Sequence, residues 1–380
     1  CRELNIETVA IYAKGDENSL HVSLADQAIC IGEANPLDSY LNIDRIISAA
    51  KVTESNVIHP GYGFLSESTN FAKAVEDNHI HFIGPSKTTM EMMGDKITAR
   101  QTVKQAGVPV IPGSNDAVQS VDEIKLLAKE IGFPVVLKAA SGGGGKGIRI
   151  VKEASQLDQA LKEAKSEGQK YFNDNRVYVE AFIPVAKHVE VQIIGDGKNN
   201  YVHLGERDCS VQRKNQKLIE EAPCAALTEE RRTRICGDAV KVAQASRYRS
   251  AGTIEFLVTE DAHYFIEMNA RIQVLPTPGK VNKLHLPQGF NIRVDSLLYT
   301  GYQVSPYYDS LVAKVIVKDS NRQTAINKLK VALDEMVIEG FTTTADFLYA
   351  VLNYPIYAKG DASKVDIKFL EKHQIIKEVK

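Results

Sequence analysis

The chain has 380 residues, of which 44% are hydrophobic and 25% charged, a balance that excludes a disordered or fibrous protein and leaves room for two or three domains. Its 46 Lys and Arg stand against 48 Asp and Glu, so a net charge of -2 offers no global basic excess to a nucleic-acid backbone, and no nucleic-acid partner is expected. No run approaches the roughly 18 consecutive apolar residues that span a bilayer, so no membrane role is expected and the reading is cytoplasmic. The five cysteines are odd in number and lack C-x-x-C spacing, which points to reduced thiols rather than a disulfide framework or a zinc site.

The opening CRELNIETVAIYAK reads as the tail of a helix followed by a strand, as if the sequence began inside a larger chain. Up to about residue 95 short apolar runs (ETVAIY, AICI, NVIHP, IHFIG) alternate with helical stretches such as NIDRIISAAK and TNFAKAVEDN. That alternation predicts a parallel sheet covered by helices. HPGYGFLSE, residues 59–67, places a Pro-Gly turn at a strand's carboxyl end, the side where open α/β sheets take ligands.

A helix over DKITARQTVKQAG runs into VPVIPGS, whose Pro and Gly mark the start of a second domain. A helix near 120–131, strand FPVVLKA, a glycine loop, strand IRIVK, a helix over 155–170 and strand VYVEAFI predict a small α+β unit. HVEVQIIGD, NYVHLGERDCSV and, after a helix at 228–247, the pair GTIEFLVT and HYFIEMNARIQV predict an antiparallel sheet.

The loop SGGGGKG, Ser141 to Gly147, has bare amides suited to close approach of a phosphate, although a flexible hairpin without ligand fits it as well. It is neither a Rossmann fingerprint, because a strand follows it, nor a P-loop, because Gly147 and not Ser or Thr follows Lys146. Lys138 in the apolar strand before the loop requires an anion, either a nucleotide phosphate or a structural Glu. In HYFIEMNARIQV, alternation lines up Glu267, Asn269, Arg271 and Gln273, with Ile266, Met268 and Ile272 toward the core. A hairpin at TEDAH brings Glu255 beside Glu267; two such carboxylates require either a bridging Mg²⁺ or separate Lys and Arg partners. His188, Glu190 and Gln192 share one face of their strand, and Arg207, Arg213, Lys214 and Lys217 gather near Glu220 and Glu221 as a phosphate or oxyanion clamp or as a solvated face.

HPGYGFLSE, MGDKITAR, LKAASGGGGKGIRIV, HVEVQIIGD, HLGERDCSVQRKNQKLIEEAP, GTIEFL, FIEMNARIQV and PYYDSLVAKVIV, in this order along the chain, closely resemble the biotin carboxylase family, the ATP-grasp component of acetyl-CoA carboxylase and its relatives. The resemblance implies an α/β and α+β architecture: a Rossmann-like pre-ATP-grasp domain over 1–95, an ATP-grasp part with a glycine-rich lid over 96–182, an ATP-grasp core with metal and bicarbonate site over 183–274, and a C-terminal biotin carboxylase domain over 275–380. It implies that Lys96, Lys138, Gly144, Gly145, Glu180 and His188 hold ATP together with Glu255 and Glu267, with Glu180 near the adenine. It further implies that Glu255, Glu267 and Asn269 ligate Mg²⁺ or Mn²⁺, and that Lys217, Arg271, Gln273 and the backbone of Val274 bind bicarbonate, Lys217 and Arg271 serving catalysis. The implied reaction carboxylates biotin on a carrier protein through carboxyphosphate, as the first step of fatty acid synthesis. Its implied partners are a biotin carboxyl carrier protein, carboxyltransferase subunits and a second copy in a homodimer.

The chain departs from the family pattern at Asn215, where His is common, and after Val274, where LPTPGK follows at once. The family continues there with a Glu-His-Pro run holding the catalytic base and, further on, an Arg that meets biotin; neither has a matching position here. Deleting core helices and strands would expose apolar surface at about 25 cal/mol per Å², so a longer intact protein is the expectation. The rivals are the same domain of pyruvate or another acyl-CoA carboxylase, an inactive ATP-binding module, and an ATP-grasp ligase with an amine acceptor.

Overall fold

The computed structural model describes residues 1–141, 147–213, 216–269, 279–308 and 311–375. They fall into two units: Cys1–Lys87 with Ala270–Asp361 and Gln374–Lys380, and Thr88–Asn269 with Ala362–His373.

In the first unit, strands Val9–Ala13 (β1) and Gln27–Gly32 (β2) flank a short helix, Leu20–Leu24 (α1), and pair in parallel. Helix Ile43–Val52 (α2) leads to Val57–Ile58 (β3), and helix Thr69–Asp77 (α3) to His81–Phe82 (β4), which pairs in parallel with β3. Both helices start on a side-chain cap, Asn42 for α2 and Ser68 for α3, and bury one face, with Ile46, Ile47, Phe71 and Val75 inside. The strands are parallel and joined by helices as the alternating pattern predicts, but among the described residues they form two separate two-stranded pairs rather than one sheet. At the carboxyl end of β3 the HPGYGF turn has Gly61, Gly63 and Phe64 at φ 69°, 78° and 44°. The Phe64 ring stacks on Tyr40 at 5.5 Å, and Asp16 accepts hydrogen bonds from Tyr40 (2.7 Å) and Tyr308 (2.6 Å), which ties the PYYDS run to the start of the chain. The later part of this unit combines two-stranded antiparallel pairs and a small core of Val281, Leu298 and Val304 with helices Arg322–Glu335, Ala345–Asn353 and Pro355–Lys359.

The second unit begins within helix Lys87–Gly94 (α4), followed by Lys96–Gln105 (α5) and Val121–Ile131 (α6). Ser120 caps α6 by accepting from Glu123 N (3.3 Å), while the Glu123 carboxylate reaches back to Gln119 N (2.8 Å). Strands Val135–Ala139 (β5), Ile148–Val151 (β6) and Val177–Ala181 (β7) form an antiparallel sheet in the order β6-β5-β7, with helix Leu157–Phe172 (α7) between β6 and β7 in the chain. One face of this sheet, Val135, Leu137, Val177 and Val179, packs on Ile124, Leu157 and Leu161 of α6 and α7. Gly147 opens the segment before β6 at φ 72°, and a Cβ there would come within 2.9 Å of the Ala139 side chain, so this position requires glycine.

Strands Lys187–Asp196 (β8), Tyr201–Arg213 (β9) and Gln216–Glu221 (β10), helix Glu229–Ala245 (α8), and strands Arg249–Val258 (β11) and His263–Asn269 (β12) complete the unit. The five strands make an antiparallel sheet in the order β10-β9-β8-β11-β12. Val189, Val191, Ile193, Ile254, Phe256 and Phe265 pack against α8 residues Ile235, Ala239 and Val242 and against Ala99 and Val103 of α5. Strict alternation along β12 does not hold. Glu255 faces Glu267 while Phe256 faces Phe265, so a bulge resets the pleat and Phe265, not Ile266, joins the core beside Met268. Among the described residues no helix is long and apolar enough to cross a membrane.

Candidate active site

The core side of the five-stranded sheet is apolar, so the opposite face of β8 carries His188, Glu190 and Gln192 together, as the alternation requires. Glu255 lies opposite Glu190 on one side and Glu267 on the other in the strand register, which puts three carboxylates in a row across β8, β11 and β12. Glu190 and Glu255 are 4% and 2% exposed, so their charges require partners inside the protein.

Those partners are present. Lys217 from β10 reaches over the sheet to Glu255 Oε1 (2.6 Å) and to the Glu190 carboxylate. His188 Nε2 lies 2.7 Å from Glu255 Oε2, and Gln212 donates its amide to the other ring nitrogen at 2.5 Å. Arg207 donates to Glu190 and, at 3.1 Å, to Gln192 Oε1. Burial by itself would raise the Glu255 carboxyl, but His188 and Lys217 outweigh it and hold it well below the usual carboxylate range. Burial likewise works against the Lys217 ammonium, yet Glu255, Glu190 and the field of Cys209 leave it raised. Both ends of the pair are therefore charged at neutral pH.

Asn269 Nδ2 donates to Glu255 Oε1 and to Glu267 Oε1, 3.0 Å each. One amide thus lies between two carboxylates, and with its oxygen turned inward it would complete an all-oxygen donor set of the kind that suits Mg²⁺ or Mn²⁺. The residues present fit such an ion. Glu267 also pairs with Lys96 at 3.1 Å, and against the opposing effects of burial and Glu255 that lysine lowers its carboxyl. Lys96 stands at the first position of α5 because Asp95 caps the helix, accepting from Thr98 N at 2.8 Å, while Arg176 holds the Asp95 carboxylate at 2.6 Å and Lys96 N donates to Ala140 O.

A second cluster of candidate ligands, Glu190, Cys209 and Glu220, lies nearby. Arg207 lies within ion-pair distance of both of its carboxylates, so their charge is already met by a protein cation.

On the three-stranded sheet, the face away from the core carries Lys138, Tyr178 and Glu180. Lys138 takes the structural-glutamate option left open by the sequence, with its Nζ 2.5 Å from Glu180 Oε2. Sequence reasoning missed Arg100, which pairs with the other oxygen of Glu180 and donates to Ile111 O at 2.8 Å. Its signal was available: Arg100 falls on the spacing of the buried residues Ile97 and Val103, where a charge requires a partner.

Of the expected site residues, the structure gathers His188, Lys217, Glu255, Glu267, Asn269 and Lys96 in one network and sets Lys138 with Glu180 in another. Gly144, Gly145, Arg271, Gln273 and Val274 lie outside the described residues, as do Lys214, Asn215 and the Val274–Leu275 joint.

Three family models match the chain: "Biotin carboxylase, N-terminal domain" over 1–90, "Carbamoyl-phosphate synthase L chain, ATP binding domain" over 95–277, and "Biotin carboxylase C-terminal domain" over 265–372. Biotin carboxylase 1 of Bacillus subtilis is 41% identical over 431 aligned positions, covering 99% of this chain and 95% of that protein. Since 431 positions are set against 380 residues, at least 51 positions in the alignment have no counterpart in this chain. A crystal structure of biotin carboxylase from Campylobacter jejuni in a β,γ-ATP complex superposes with a TM-score of 0.92 at 41% identity, covering 98% of this chain and 94% of that one. The biotin carboxylase domain dimer of the Hydrogenobacter thermophilus 2-oxoglutarate carboxylase, solved with MgADP, ADP and bicarbonate, gives 0.91 at 38% identity with coverage of 98% and 94%. Identity at this level along nearly the whole length, with the matching three-domain fold, places the chain in the biotin carboxylase family of ATP-grasp ligases.

Proposed function

We propose that this protein carboxylates biotin on a biotin carboxyl carrier protein, using ATP and bicarbonate, as the first half-reaction of an acetyl-CoA carboxylase in fatty acid synthesis. The observation that carries the proposal is the row Glu190, Glu255, Glu267 on one sheet face, spanned by Lys217 and the Asn269 amide. In this reading Lys96 and Lys138 take the nucleotide phosphates, the amides of Gly144 and Gly145 close over them, Glu180 lies near the adenine, and His188 lines the same site. Glu255, Glu267 and Asn269 would hold Mg²⁺ or Mn²⁺, which supplies neutralisation of phosphate oxygens when bound. Lys217, Arg271, Gln273 and the Val274 amide hold bicarbonate, whose oxygen attacks the γ-phosphorus while ADP leaves. Carboxyphosphate forms and breaks down to CO₂ and phosphate, and the phosphate takes the ureido proton of biotin as its nitrogen bonds to CO₂. Lys217 suits its part because its charge is fixed by two carboxylates and placed before substrate arrives.

The domain order 1–95, 96–182, 183–274 and 275–380, the homodimer, a cytoplasmic site and association with carboxyltransferase subunits belong to the same proposal. The likeness to the 2-oxoglutarate carboxylase domain makes another parent carboxylase the alternative acceptor system. Phosphate release measured with and without free biotin, and with bicarbonate omitted, tests the activity; turnover that needs both substrates supports it. One observation favours a second reading, an ATP-binding module without carboxylation: at least 51 aligned positions of the Bacillus relative lack a counterpart, and no position here matches the expected base. That module binds ATP and shows no biotin-dependent turnover.

A further inference from the structure

Arg100, Glu180 and Lys138 form a group in which two cations share one carboxylate. Their attachments differ. The Arg100 side chain is 8% exposed, donates to Glu180 Oε1 and to Ile111 O, and has its guanidinium 5.6 Å from the centre of the Tyr178 ring. Every one of these partners is part of the folded framework, so Arg100 is fixed. Lys138 is 19% exposed, and although its Nζ lies 2.5 Å from Glu180 Oε2, among the described residues no donor is aligned on that oxygen for a hydrogen bond. Of the two cations Lys138 is the more exposed, and it is the one that an incoming ligand can reach. Two cations and one carboxylate give this group of three a net charge of +1.

We propose that Arg100 is a positioning residue for nucleotide binding: by neutralising Glu180 from inside the fold, it releases Lys138 from duty as that glutamate's counter-ion and makes its charge available to a polyphosphate. This rests on the ATP-binding reading above. Without Arg100, Lys138 becomes the sole cation on a carboxylate that is 5% exposed, and drawing it toward phosphate would strand a buried negative charge. In this inference Arg100 acts on the nucleotide through the charge of Glu180, so its effect on MgATP affinity disappears when Glu180 carries no charge.

The test is a double-mutant cycle in the full chain, read as the Kd for MgATP by isothermal titration calorimetry and as the KM values for ATP and bicarbonate. Arg100→Met weakens MgATP by about tenfold, equivalent to about 1.4 kcal/mol, and leaves the bicarbonate KM unchanged. Arg100→Met added to Glu180→Gln changes the Kd by less than about twofold, since the amide keeps an acceptor and removes the charge. Comparing the two proteins that carry Glu180→Gln decides the question even if Arg100→Met alone does not fold, because the double variant buries no lone carboxylate. A tenfold loss in the Glu180→Gln background, or parent-like ATP binding by a folded Arg100→Met, overturns the inference. Absence of MgATP binding by the parent protein overturns the ATP-binding reading itself and is distinct from either result.

Discussion

Replacing Lys217 with Met keeps most of the apolar stem and removes a charge that touches both Glu190 and Glu255. Removing one partner from a buried ion pair costs about 3–5 kcal/mol when nothing else compensates. Here Arg207 still holds Glu190, His188 and Asn269 still hold Glu255, and the Lys217 side chain is 25% exposed, so solvent eases the loss. The expected cost is about 2–3 kcal/mol, or about 4–12 °C in melting temperature at 2–4 °C per kcal/mol for a unit of 150–250 residues. The loss also carries a pH signature. Glu255 has a folded-state pKa below its unfolded value, so its contribution is fully present above the unfolded carboxylate range near pH 4.5 and is lost as pH falls further. Without Lys217 that depression shrinks, and the acid limb of the stability profile becomes shallower. Thermal melts from pH 7.5 down to about pH 2 measure both effects, because the Glu255 contribution is lost only below its unfolded value. A melting temperature within about 1 °C of the parent with an unchanged acid limb would refute the view that Lys217 is the electrostatic keystone of this face.

Glu267→Gln removes one of two paired carboxylates at a partly exposed position, so Mn²⁺ binding in the presence of ATP, followed by electron paramagnetic resonance, should weaken by about tenfold while the far-ultraviolet circular dichroism stays unchanged. Lys187→Met strands Asp208 and the Val365 carbonyl, which the ammonium holds at 2.7 and 2.6 Å, and should destabilise the protein by about 3–5 kcal/mol in urea unfolding. Alkylation at pH 8 followed by peptide mass mapping should modify the exposed Cys1 and Cys30. It should spare Cys209, Cys224 and Cys236, because burial lifts the first far above its normal range, the second to about 12 and the third to about 11.

Much of the site was legible because strand alternation is a strong signal where one face is packed. The apolar residues Val189, Val191 and Ile193 leave His188, Glu190 and Gln192 no other side to face, and a hairpin forces Glu255 opposite Glu267. The bulge before Glu267 was not legible, since a single extra residue in the ladder leaves no mark in composition; it gave the core Phe265 in place of Ile266. Lys138 shows a different limit. A lysine in an apolar strand announces that an anion is near, but not whether the anion is protein or ligand, and only the register of β5 against β7 places Glu180 within reach. Arg100 required a long-range contact: its partners, Glu180 and the Ile111 carbonyl, lie 80 and 11 residues away in the chain.

In the proposed reaction bicarbonate, and not water, attacks the γ-phosphate of ATP at the face built by Glu190, Glu255, Glu267 and Lys217. Incubation with ATP, Mg²⁺, free biotin and ¹⁸O-labelled bicarbonate, followed by mass analysis of the inorganic phosphate, tests it directly. One labelled oxygen per phosphate released is the expected result, because the attacking oxygen stays on phosphorus when carboxyphosphate breaks down. Phosphate that forms at the same rate without bicarbonate and carries no label would contradict it.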